Sequence, residues 1–201
     1  MKRNILITLL LAFTMMITAC STNSSSQNDN NKFVGTWIAY NQNNSQNQIK
    51  ELTIENIDDQ LLVSLYTYSY SSLMDYFSSG LEEADNAKQG NETAPANADY
   101  LLIKKTDSIH NMLLTAINNK LDVGVNPILY NEKDDTLVFD NIVFHKKSDD
   151  NSIQSYLPKL KDAIKNDVIQ ERKKSTFGSF RPKPTIQFDF SFDDSILDTA
   201  Q

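Results

Sequence analysis

The sequence is short of cysteine, glycine, proline and positive charge, and each shortage removes a class of function. One Cys in 201 residues excludes an intrachain disulfide framework and any multi-cysteine metal site. Five Gly and five Pro exclude collagen-like and Gly-rich phosphate-cradling designs and leave few sharp turns for a bladed repeat. Nineteen Lys and Arg stand against 26 Asp and Glu, a net charge of -7, which excludes nucleic acid as the main partner because phosphate binding needs a dense cationic surface. The two histidines, His110 and His145, have no second ligand at the spacing of a zinc helix. Both are read as surface or boundary residues. No catalytic motif is visible, and no enzyme activity, metal or other cofactor is expected.

Long apolar runs are also scarce, and the one present is at the N-terminus. Residues 1–20 read as a basic start at Lys2 and Arg3, an apolar run from Ile5 to Ile17, and small residues before Cys20. That is the form of a secretory signal peptide, with an apolar run too short for a stable span. Ile17-Thr18-Ala19-Cys20 resembles the bacterial lipobox, in which cleavage precedes the Cys and the Cys is acylated. An ordinary signal peptide with an incidental Cys is the alternative. The resemblance implies an exported lipoprotein with a signal peptide at 1–19, held on the extracytoplasmic side of a membrane by acyl chains on Cys20. With neutral Ser21 following, that membrane is the outer one if the cell has two.

Residues 1–19 hold two basic and no acidic side chains, so cleavage leaves a net charge of -9. Residues 20–32 contain Ser, Asn and Gln but no large apolar side chain, and are read as a flexible tether with a root-mean-square span of roughly 20 Å.

Folded sequence is expected from Phe33. Apolar and β-branched runs at 33–40, 49–57 and 61–70, separated by an Asn/Gln loop and by Asp58-Asp59, read as three strands of a meander. In the third, Leu61, Val63 and Leu65 share one face and Tyr66, Tyr68 and Tyr70 the other, a switch that implies a bulge or a strand apolar on both sides. Residues 71–99 interrupt the pattern: Leu73, Phe77, Leu81 and Ala84 recur at helical spacing, and the rest reads as a loop or lid. Strands resume at 100–105, 111–117, 120–125, 128–130, 136–140 and 142–146, with turns at Asp134-Asp135 and Asp140-Asn141. Ile153, Leu157, Leu160, Ile164 and Val168 predict an amphipathic helix within 148–176. A tail at 177–201 carries an alternating strand at 185–192.

The expected class is mainly β, an antiparallel meander forming a small barrel over 33–147, with one C-terminal amphipathic helix and a terminal strand. Gly35-Thr36-Trp37 is similar to the Gly-x-Trp motif of lipocalins, and the order of elements is similar too. That resemblance implies a lipocalin-like barrel enclosing a small apolar ligand, with the Trp closing one end beneath a late basic side chain. Arg172 and Arg181, the only late arginines, lie outside the barrel strands. Trp37, Tyr66, Tyr68 and Tyr70 are the candidate ligand-binding residues, and the tyrosines read equally as ordinary cross-strand packing. The acidic doublets, including Asp193-Asp194, read as solvated turns. Residues 159–183 carry eight basic and three acidic side chains, a basic segment that either meets anionic headgroups or packs on the acidic barrel. The function expected is non-catalytic capture of a small apolar ligand, and the alternative is protein interaction in the envelope through a solid β domain, with strand 185–192 adding to a partner's sheet.

Overall fold

The computed structural model describes residues 30–42, 47–72, 98–175 and 190–198. Residues 1–29, which include the segments read as leader and tether with Cys20, the insertion at 73–97 with its apolar positions, and residues 176–189 of the tail lie outside the described residues.

Three strands come first: β1 (Gly35–Asn41), β2 (Gln48–Ile57) and β3 (Gln60–Ser72). β1 starts two residues later than the hydrophobic pattern suggests. Asn30 to Phe33 forms a turn, with the Phe33 N–H donating to the Asn30 carbonyl at 3.0 Å, and Gly35 follows at φ 138°, a backbone that side-chain-bearing residues rarely adopt. Six short strands follow the insertion: β4 (Tyr100–Thr106), β5 (Met112–Leu114), β6 (Lys120–Leu121), β7 (Ile128–Asn131), β8 (Thr136–Phe139) and β9 (Ile142–Lys146). Helix α1 (Ile153–Ser175), a two-residue strand β10 (Phe192–Asp193) and a 3-10 turn (Ser195–Leu197) complete the order.

Three hairpin turns are made by consecutive residues at positive φ: Asp58 and Asp59 at 49° and 66°, Asn118 and Asn119 at 49° and 62°, Asp140 and Asn141 at 50° and 62°. Paired left-handed residues suit the twist of two-residue hairpins, and Asp and Asn tolerate that region better than other side chains. This is how a chain with five glycines turns so often.

The strands form one sheet in the order β10-β4-β3-β2-β1-β9-β8-β7-β6, with β5 beside the first part of β3. β1 is hydrogen-bonded to β2 along its full length and to β9 at Trp37–Lys146 and Ile38–His145. The sheet is curled, since Phe33 ahead of β1 lies 5.7 Å, ring to ring, from Tyr130 of β7, three strands away along the ladder. The ladder is not closed. Between β5 and β6 the only pairing among the described residues is the Ile117–Lys120 bridge, at the tip of the Asn118-Asn119 turn.

Each face of the sheet buries its own core. The inner face gathers Trp37, Leu52, Ile54, Leu61, Val63, Leu65, Leu121, Ile128, Leu137 and Phe144, with Phe33. Burying each large side chain stabilises the fold by roughly 1.5–3 kcal/mol relative to exposure. The outer face carries Ile38, Ile49, Tyr68 and Leu102, covered by Ile153, Leu157 and Leu160 of α1. β3 serves both cores: its register with β2 runs unbroken from Ile49–Tyr68 to Ile57–Gln60, so the switch from aliphatic to tyrosine positions is a strand apolar on both sides and not a bulge.

Helix α1 begins at a reciprocal cap. The Ser155 N–H donates to Ser152 Oγ at 3.1 Å and the Ser152 N–H to Ser155 Oγ at 2.9 Å, satisfying donors that the first turn leaves open. Just before it, Asn151 Nδ2 donates to the carbonyls of His145 and Lys146 at 2.9 and 3.0 Å, which ties the helix start to the end of β9. The helix meets the sheet through its apolar stripe; among the described residues its Lys161 pairs with Asp194 of the tail.

Candidate functional site

Trp37 and the three tyrosines do not share a pocket. Trp37 stands opposite Leu52 and Leu52 opposite Leu65, so the indole belongs to the inner face, whereas Tyr66, Tyr68 and Tyr70 alternate to the outer face. The Trp37 Nε1–H donates to the Phe33 carbonyl at 2.8 Å, and the Lys146 ammonium lies 5.2 Å from the indole ring. The basic side chain over the Trp is thus a lysine at the end of β9. Gly35 makes room for it, because a Cβ there would lie 3.3 Å from Lys146 Cε.

On the outer face Tyr68 is buried beneath α1 and its hydroxyl donates to Glu51 Oε2 at 2.8 Å. Burial, reinforced by the Glu51 charge and that hydrogen bond, pushes the phenol far above its ordinary range, so Tyr68 stays a donor. Lys104 Nζ stands 3.9 Å from the same Glu51 oxygen and 3.9 Å from the centre of the Tyr66 ring, and His110 meets that ring edge-on at 6.1 Å. The cluster pairs a buried carboxylate with a phenol and an ammonium and satisfies all three. It is a braced packing site. Among the described residues no group of His, Cys, Asp or Glu is arranged to hold a metal.

Tyr70 belongs to a third arrangement, a groove bounded by the ends of β3 and β4 and by α1, in which the residues from Phe190 to Leu197 lie. β10 pairs in parallel with β4, Phe192 with Tyr100 and Asp193 with Leu101. Ser191 and Asp99 bond reciprocally: the Ser191 N–H donates to Asp99 Oδ2 and the Asp99 N–H to Ser191 Oγ, each at 2.9 Å. The Ser191 backbone and hydroxyl hold the Asp99 carboxyl below its usual range. The Phe192 ring meets Tyr70 edge-on at 4.9 Å and stacks on Tyr100 at 5.5 Å, with the Lys161 and Lys165 ammoniums 5.5 and 5.7 Å from it. Asp194 accepts from the Tyr70 hydroxyl and from Lys161 Nζ, the latter at 2.6 Å. Burial, with the Asp194 hydrogen bond second, raises the Tyr70 phenol far above its ordinary range.

Sequence reasoning picked out Tyr70 but missed Lys161, Asp99 and Asp194. Asp193 fits its reading as a turn residue, since its side chain accepts from the Ser195 N–H at 2.8 Å. Asp194 departs from that reading and is the ionic anchor of the tail. The one available signal was charge: a basic helix followed by an acidic tail. His110 and His145 are both exposed.

No family model, curated protein or solved structure matches this chain.

Proposed function

We propose that this chain is an exported lipoprotein, anchored through acylated Cys20, whose β domain works as a solid protein-interaction module of the cell envelope. One observation carries the choice between binding module and ligand carrier. The residues expected to wall one apolar pocket are covered by the chain's own side chains: Trp37 by Phe33, Phe144 and aliphatic neighbours on the inner face, and the tyrosines by α1 and the tail on the outer face. Interiors packed in this way gain dispersion contacts that a ligand would have to replace.

A lipocalin-like architecture is supported by β1 bonding to both the second and the last strand of the meander, by the helix that follows the last strand, and by Lys146 over Trp37. The anchor rests on the lipobox resemblance. Among the described residues no helix is long and apolar enough to cross a membrane. In vivo crosslinking of the full chain followed by mass spectrometry tests the module, and repeated recovery of one envelope protein is the expected result. The second reading, a small apolar ligand, is favoured by the unladdered stretch between β5 and β6, where Met112, Leu114 and Val123 are only partly buried. Non-denaturing mass spectrometry of detergent-free protein separates the two, since a co-purifying apolar mass would select the carrier.

A further inference from the structure

We propose that the groove between the β4 edge and α1 is a peptide-docking site, held in this structure by the chain's own tail, and that its partner is a protein presenting an extended aromatic-x-Asp segment. The inference rests on the interaction-module reading and names the surface and chemistry it would use.

Four observations converge. The tail adds two residues in parallel to a sheet that is otherwise antiparallel, so it is an addition to an edge and not part of the meander. None of the residues 190–198 is fully buried, although Ile196 and Leu197 pack on the outer core, as expected of a segment lying on a surface. Its attachment includes polar and aromatic anchors: the Phe192 ring between Tyr70 and Tyr100, the Asp194 carboxylate on Lys161 and Tyr70, and the Ser191–Asp99 latch. Such combinations of main-chain pairing, an aromatic in a niche and a charge-assisted bond are how sheet edges recognise peptides. Finally, the charges are complementary, with Lys161 and Lys165 beside Phe192 and Asp194. A partner segment of the same chemistry would compete with the tail, and its apparent affinity would fall by the fraction of molecules with the groove open.

A fluorescent peptide of residues 190–198 serves as the probe, with full-length chains as receptors. A Phe192→Ala, Asp194→Asn double variant releases the tail and should bind the peptide about tenfold or more tighter than the wild type. Adding Lys161→Glu should abolish binding, and a peptide carrying Asp194→Lys should restore it. Equal binding of a scrambled peptide, or no binding by a tail-released variant with a native circular-dichroism spectrum, overturns the proposal. Unfolding of that variant overturns it too, by making the tail a core element. A wild-type dimer dissociated by the peptide would replace the partner with a second copy. Peptide binding without any crosslinked envelope protein would leave the groove standing and remove the module.

Discussion

Glu51 shows how a single side chain is decided by its neighbours. A carboxylate with little exposure is costly unless hydrogen bonds and charge replace water, and Tyr68 and Lys104 supply both. Tyr68→Phe removes the phenol donor and is expected to cost about 1.5–3 kcal/mol in urea unfolding, whereas Glu51→Gln, which keeps an acceptor for the hydroxyl, should cost less. Gly35→Ala places a Cβ at φ 138° and 3.3 Å from Lys146 Cε; a loss of roughly 1–3 kcal/mol is expected, and a neutral result would mean that the turn before β1 relaxes freely. Asp99 gives a pH expectation. Its folded pKa is lowered by Ser191, so the latch contributes fully above the unfolded value of about 3.9 and is lost as pH falls through the lower folded value. The Ser191 amide shift followed by NMR should therefore stay constant from neutral pH and move at a pH below that of an ordinary Asp.

Among the elements, the hairpins were the most legible, because their turn residues act locally. Asp58-Asp59 and Asp140-Asn141 were readable as turns from residue type, and each adopts paired positive φ. Asn and Asp tolerate that conformation at some cost, and Gly tolerates it freely. Asn141→Gly is thus expected to raise stability by roughly 0.5–1 kcal/mol, measured as a shift in the urea midpoint at constant slope; a fall would show that the Asn side chain contributes more than its backbone strain costs. Helix α1 was equally legible from its apolar spacing, and Ser152→Ala should remove its cap at a cost of about 1 kcal/mol. Of the strand read at 185–192, residues 185–189 lie outside the described residues and only Phe192 falls in β10; its pairing with β4 depends on residues about 90 positions earlier.

For the molecule as one body, the feature that organises everything is β3, which feeds the inner core with Leu61, Val63 and Leu65 and the outer one with its tyrosines. Truncation in the inner core should therefore be felt globally: Trp37→Ala is expected to lose about 3–5 kcal/mol, enough to consume much of the stability of an ordinary domain. Tail release should leave that core intact, because no described tail residue belongs to it. Comparing the two by calorimetry shows whether inner core and tail are energetically separate, as the docking proposal requires.

Alternation and period marked the main strands and the helix in the sequence, because side-chain direction along an element follows from backbone geometry alone, whereas only the unbroken register with β2 showed β3 to be apolar on both sides and not bulged. The lipobox-like Ile17-Thr18-Ala19-Cys20 and the acidic and basic segments are equally local features of the sequence. The opposition of Trp37 and the tyrosines, the open ladder, Lys146 as the basic side chain over Trp37, and the meeting of Asp194, Lys161 and Tyr70 were decided only in three dimensions. Each depends on register or on pairing between distant segments, and a one-residue change of register moves a side chain to the opposite face.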